Sequence, residues 1–360
     1  MRILQIIDSL RPGGAEKMAI NLANSLANRI EFSGICATRR EGLLKIQINS
    51  GAHYIFLEKK STLDLKAILK LHKYVIRNRI EILHTHGTSF FLGVIIKLIN
   101  PKIKLIWHDH LGSRSVKSFK DFPLLYLCSK FFNGIIVVNK ELLVWVKINL
   151  LCKKTIFIPN FLMNEFDKEQ LESPQKRKSE LISLVCVANL KKPKNHLNLV
   201  KAFKIVVDQH KNVELKLIGK NYEDIYQEQI HDFLMSNDLE SKVILLGEQN
   251  NILKHLRNSS IGILASDSEG LSMAILEYGM AGLPVIITDV GECPDIIGSN
   301  GKIVKVNDPE DLAENILYYI NNENSRKADA QKFRNIIIDN YTEDTVIPEL
   351  LLFYNAIGNT

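Results

Sequence analysis

The chain has 360 residues, with 46 Lys plus Arg against 40 Asp plus Glu and 46% apolar residues, enough to bury a large core and build two domains. With 24% charged residues, 19 Gly and 10 Pro, the composition excludes a disordered or fibrous chain, and no apolar run approaches the roughly 20 residues of a membrane-spanning helix. The net charge of +6 conceals a division: residues 1–160 carry 25 basic and 10 acidic side chains, net +15, whereas residues 161–360 carry 21 and 30, net −9. A basic half suits an anionic partner such as a phosphorylated substrate, nucleic acid or an acidic membrane leaflet, or it is a solvated lysine-rich face.

Short β-branched runs alternate with segments of helical period, which specifies an α/β fold of parallel sheets wrapped by helices. In chain order, strands are predicted at Ile3–Ile7, Phe32–Ala37, Tyr54–Leu57, Ile82–Thr85, Lys104–Trp107, Gly134–Val138 and Thr155–Ile158. A polar stretch, 166–180, with Pro174 and a Lys-Arg-Lys cluster, reads as a linker between domains at 1–165 and 181–340. Strands resume at Leu184–Ala188, Glu214–Ile218, Lys242–Leu246, Gly262–Ala265 and Val285–Thr288. Residues 341–360 predict an amphipathic C-terminal helix with Pro348 at its start or at a kink, packing back on one of the domains. Two doubly wound domains of this size would face each other across a cleft, and ligands of such sheets bind beyond the carboxyl ends of the strands. Five scattered cysteines without a C-x-x-C spacing imply neither a disulfide framework nor a zinc site, and no signal-peptide pattern opens the chain, so a reducing, cytoplasmic location is expected.

The loops after strands are where chemistry is sought. Ser266–Asp295 reads S-D-S-E-G-L-S-M-A-I-L-E-Y-G-M-A-G-L-P-V-I-I-T-D-V-G-E-C-P-D. Glu269 follows a buried strand, Gly270 allows a tight turn, and Leu271–Met280 has helical period. The N–H groups of Leu271, Ser272 and Met273 would form an anion site at the helix start. Glu269 and Glu277 are eight residues apart, a little over two helical turns, which sets one carboxylate at the helix entrance and the other on nearly the same side of its second turn.

This stretch resembles the family 4 retaining glycosyltransferases of GT-B fold, whose signature E-G-[FL]-x5-E-[AY]-x3-G-x-P-V is matched by Glu269, Gly270, Glu277, Gly282, Pro284 and Val285. The resemblance extends along the chain. Gly13, Gly14, Ala15 and Glu16 are similar to the family's G-G-A-E loop, where small residues let the backbone approach the donor phosphate and the acceptor. Lys194 matches the family lysine that neutralises the diphosphate leaving group. Asn189 stands where many members carry arginine, with Lys191 or Lys192 as substitutes, and Phe161 replaces the glycine of a P-N-G turn. His110 resembles the family's acceptor-side histidine, with His108 the competing choice and His86 nearby. A metal site of His84, His86, His108, Asp109 and His110 is conceivable from residue types alone, but the resemblance implies no essential metal and no cofactor.

By this resemblance the chain is a hexosyltransferase-type enzyme that binds a UDP- or GDP-linked sugar, with Glu269 and His110 at the reacting centre. Glu277, Lys194, Asn189, Gly270, Leu271, Ser272, Gly13 and Gly14 would bind the donor, and Glu16, His86 and His108 would lie on the acceptor side. The acceptor would be a glycan or lipid-linked sugar of capsule, O-antigen or exopolysaccharide synthesis, and nucleic acid is not an expected partner. Apolar faces at Phe90–Ile99 and Phe122–Phe132 in the basic half suit either docking on an anionic membrane or burial in the core. A nucleotide-sugar epimerase or hydrolase of the same two-domain fold is the alternative. A dinucleotide oxidoreductase is disfavoured because D-S-L-R-P-G-G, not G-x-G-x-x-G, follows the first strand.

Overall fold

The centre of β1 (Arg2–Ser9), Ile3-Leu4-Gln5-Ile6-Ile7, is apolar but for Gln5, the pattern of a parallel strand covered on both faces, and Ile3, Leu4 and Ile6 have no exposed surface. The computed structural model describes residues 1–164, 181–249 and 251–358, so the expected linker at 166–180 lies outside the described residues. After β1 come β2 (Phe32–Arg40), β3 (His53–Phe56), β4 (Ile82–His86), β5 (Lys104–Asp109), β6 (Gly134–Val137) and β7 (Thr155–Phe157). They form a seven-stranded sheet in the order β3-β2-β1-β4-β5-β6-β7, every pair parallel. A second sheet uses β8 (Ile182–Val187), β9 (Val213–Ile218), β10 (Val243–Gly247), β11 (Ile261–Leu264), β12 (Val285–Thr288) and β13 (Lys302–Val304) in the order β10-β9-β8-β11-β12-β13, again all parallel. In both sheets the order reverses direction between the first strand and the fourth. That is the switch point beyond whose carboxyl ends doubly wound sheets take their ligands.

The chain divides into two units, Met1–Met163 with Glu343–Thr360 and Asn164–Thr342. The helix Glu343–Gly358 therefore belongs to the first unit, where Val346, Ile347, Leu350, Tyr354 and Ile357 share a core with Ile3, Met18, Leu22, Ile82, Ile106 and Phe161. Gly134 lets this helix approach β6: a Cβ there would stand 2.8 Å from the Phe353 ring and closer still to Ile357. Arg29 pins the start of the helix through Glu343 (3.0 Å) and Asp344 (3.1 Å).

Strand ends differ from the periodicity by at most three residues, and β13 is an addition, too short to show a period. The five cysteines are free and buried, and among the described residues no helix is long and apolar enough to cross a membrane.

Candidate active site

In the second unit, the switch point brings together the loops after β8 and β11. Lys192–Lys194 forms a single 3-10 turn, and Asn195 after it takes the left-handed conformation (φ 47°), so that its side chain caps the helix His196–Gln209 by accepting from Asn198 N. The same side chain donates to Asp267 Oδ1 (2.6 Å) and Asn307 Oδ1 (2.5 Å), while Asp267 N donates to Pro193 O (2.9 Å). These bonds lock the two loops together and set Lys194 against Glu269. The Lys194 ammonium donates to Glu269 Oε1 (2.5 Å), and Ser266 Oγ donates to the same oxygen (2.7 Å). Glu269 Oε2 has no protein partner among the described residues.

The helix after this loop begins at Met273, two residues later than its period predicts, with Ser272 as N-cap. The cause is the packing of the loop. Glu292 N donates to Gly270 O (3.0 Å), which holds Gly270 in the turn rather than in a helix. Gly291, at φ 60°, lies so close that a Cβ would stand 2.6 Å from Gly270 O and nearer still to Glu269 O. Leu271 is buried in the turn, and the free first-turn N–H groups are those of Met273, Ala274 and Ile275. Glu269 thus lies in the loop ahead of the helix, and its spacing to Glu277 is not two helical turns. Glu277 is itself a buried carboxylate in the helix. Asn189 braces the neighbouring loops by accepting from Lys220 N (2.8 Å), and Lys191 and Lys192 are exposed.

In the first unit, Gly13 is the N-cap and Gly14 the first residue of the helix Gly14–Ala27, with Glu16 folded back over Gly13. The switch point here carries four imidazoles. His84 Nε2 faces His108 Nδ1 (3.2 Å) and His86 Nδ1 faces His110 Nε2 (2.9 Å), two hydrogen-bonded rungs. They stack on each other, with ring centroids 4.6 Å apart for His84 and His86 and 4.1 Å for His108 and His110. The ladder is anchored at its inner end: His84 Nδ1 bonds Tyr354 Oη (2.6 Å) and His86 Nε2 donates to Gln5 Oε1 (2.9 Å). With Gln5 accepting, His86 Nδ1 is the acceptor for His110 Nε2–H, which leaves the His110 Nδ1 lone pair unpaired. His108 Nε2 likewise has no partner. His108 is wholly buried and His110 is partly exposed.

Burial keeps all four rings neutral. Desolvation pulls His84 and His110 down to about 3, for His84 with the charge of His110 adding to it, and holds His86 and His108 well below the usual histidine range. Nitrogens of His84, His86 and His108 come within 4.8 Å of one another. Each rung, however, already places one proton between facing nitrogens, and stacked rings direct their in-plane lone pairs along parallel lines, not toward a shared point. In this structure the four rings form a hydrogen-bonded ladder. Asp109 is no part of it: burial raises its pKa against the opposing effect of Arg114, which binds it at 2.7 Å and stacks over Phe122.

Gln5 and Tyr354 escaped the sequence reading. The signal for Gln5 was an amide alone in an apolar central strand. Tyr354 gave none, since its role depends on where the last helix docks. The helix Phe90–Ile99 buries Leu92, Val94 and Ile96 and exposes Leu98 and Ile99, so it is chiefly a core element. The segment 114–132 leaves more apolar surface outside: Val116 is 84% and Leu127 63% exposed, and Ile148 on the adjoining helix Lys140–Asn149 is 76% exposed.

Two family models match the chain, Glycosyltransferase Family 4 over residues 12–161 and Glycosyl transferases group 1 over residues 167–335. The capsular polysaccharide biosynthesis glycosyltransferase CapM of Staphylococcus aureus is 26% identical over 335 residues, 87% of each chain. The UDP-Gal:alpha-D-GlcNAc-diphosphoundecaprenol alpha-1,3-galactosyltransferase of Escherichia coli is 21% identical over 296 residues, 77% of this chain and 76% of its own. Among solved structures, Anabaena Alr3699/HepE in complex with UDP and glucose superimposes with a TM-score of 0.82 at 18% identity, over 99% of both chains. The fold is GT-B, and the protein is a glycosyltransferase. It belongs to glycosyltransferase family 4.

Proposed function

We propose that the chain moves a hexose from a UDP- or GDP-linked donor to a glycan or lipid-linked acceptor of cell-surface polysaccharide synthesis, with retention of configuration and without a metal or other cofactor. The observation that carries this reading is the Lys194–Glu269 pair at the switch point of the second sheet, one carboxylate oxygen committed and the other open. Transfer breaks the bond between the anomeric carbon and a phosphate oxygen, so the diphosphate leaves with the electron pair. Lys194 and the N–H groups of Met273, Ala274 and Ile275 would stabilise that charge. Glu269 Oε2 would accept from a hydroxyl of the donor sugar and Glu277 from the ribose. The acceptor oxygen would attack on the face the phosphate leaves, its proton passing to the departing phosphate oxygen. His110, the partly exposed end of the ladder, would lie against the acceptor or the transferring sugar, its Nδ1 being buried without a partner.

The relatives lend support: one is named for capsular polysaccharide synthesis, one acts on a diphosphoundecaprenol-linked sugar, and the Anabaena protein was crystallised with UDP and glucose. Exposed Val116, Leu127 and Ile148, set among Lys117, Lys120, Lys130 and Lys147, suit docking at the inner face of an anionic membrane. A thermal-shift screen of UDP- and GDP-sugars identifies the donor by the rise in melting temperature. Transfer to a lipid-linked acceptor should follow with that donor. Donor breakdown at the same rate with no acceptor present would overturn the transfer reading in favour of hydrolysis or epimerisation.

A further inference from the structure

The ladder that joins the two halves of the second sheet is cut short. Between β8 and β11, Leu184 pairs with Ile261 and Val185 with Gly262, and among the described residues the pairing stops there. On their outer sides both strands run on, β8 beside β9 as far as Val187 and Ile218, β11 beside β12 as far as Leu264 and Ile287. The inner edges of β8 and β11 therefore part just before their carboxyl ends, where the crevice of a doubly wound sheet lies.

Tyr278 fills the gap. Its side chain is wholly buried, and its ring lies against Gly262, where a Cβ would stand 2.7 Å from Cγ and Cδ2. Val187 N donates to Tyr278 Oη (2.6 Å), and the Tyr278 hydroxyl donates to Ile263 O (3.2 Å). One oxygen thus bridges a strand N–H and a strand C=O in place of a direct ladder bond. Burial holds the phenol pKa well above its usual value, so the hydroxyl keeps the proton it donates. Val187 leads into the loop of Lys194 and Ile263 into the loop of Glu269, the two side chains that meet at the charged site. Tyr278 also follows Glu277 on the helix Met273–Met280.

We propose that Tyr278 is a positioning residue for the donor: its hydroxyl, wedged between β8 and β11, sets the spacing of the Lys194 and Glu269 loops and the placement of Glu277. A lysine and helix N–H groups act on a diphosphate only at hydrogen-bond range, so a change in how far the strands part is felt as affinity. The proposal rests on the reading that the second unit binds the nucleotide sugar.

The test is calorimetric titration of the full chain with UDP and with GDP, well below its melting temperature. Tyr278→Phe keeps the ring and removes the bridge. It should weaken binding of the nucleotide that the parent takes by about tenfold, the scale of one hydrogen bond to a charged group. Should Tyr278→Phe not fold, Gly262→Ala, which keeps the hydroxyl but displaces the ring, carries the test with the same expected loss. Tyr319→Phe is the control for a purely structural role. Tyr319 is equally buried, donates to Asp329 Oδ2 (2.8 Å), and lies at the far end of the helix Pro309–Asn321 from Asn307. That variant should melt lower by about as much as Tyr278→Phe and bind nucleotide as the parent does. Parent-like nucleotide binding in Tyr278→Phe, or an equal loss in Tyr319→Phe, overturns the proposal alone. A parent chain that binds neither nucleotide, or binding indifferent to Lys194→Ala, overturns the donor-site reading and the proposal with it.

Discussion

The two sheets share one strand order and one switch point but fill it with opposite chemistry. In the second unit the switch point is charged: a lysine and a carboxylate in contact, a serine hydroxyl completing one oxygen, and a helix start beside them. In the first unit it is neutral, a stack of four imidazoles kept uncharged by burial. A common topology therefore fixes where a ligand goes and leaves its electrostatics to a handful of side chains. A charged pair suits a leaving group that gains charge, whereas a neutral ladder suits hydroxyls that exchange hydrogen bonds.

Breaking the charged site should have the largest effect. Lys194→Ala is expected to lower kcat for transfer by about 10²–10³-fold, the range for losing one preorganised donor at a developing anion, read from release of nucleoside diphosphate in the presence of acceptor. Breaking the exposed end of the neutral site should cost less: His110→Ala is expected to reduce kcat by about 10²-fold while leaving the melting-temperature shift produced by donor unchanged. A comparable loss of donor binding would place His110 on the wrong substrate.

Acid should separate the two sites without any mutation. A buried imidazole whose pKa folding depresses is protonated first in the unfolded chain, so its stabilising effect is complete above the ordinary value of 6.5 and is lost as the pH falls toward about 3. Each ladder histidine should remove about 1.4 kcal/mol per pH unit in that window, and His196 in the second unit, pulled down to about 4, adds its own share. Urea melts between pH 7 and 5 check this slope, and a flat profile would show the ladder to be solvated. The smallest effect is expected for Tyr354→Phe, which loses one hydrogen bond to His84, about 1 kcal/mol, measured by urea denaturation.

Most of the fold was legible because buried parallel strands are written as continuous apolar runs. The Lys194 and Glu269 loops were legible because Gly270, Pro284 and the adjoining strands mark a turn locally. The start of the helix was misjudged since Glu292, far along the chain, binds the Gly270 carbonyl and holds it in the turn. Histidines 84, 86, 108 and 110 were visible as residues, but their pairing across β4 and β5 is a matter of register, and Gln5 and Tyr354 reach them from distant segments.

The last helix has a bearing on biogenesis. Its five core residues complete a unit whose other segments leave the ribosome first, so the amino-terminal half must wait, with part of its interior open to water, until residues 343–358 emerge. Premature termination anywhere upstream would leave that interior exposed, and an aborted product should be recognised by chaperones and proteases through its first domain as much as its second.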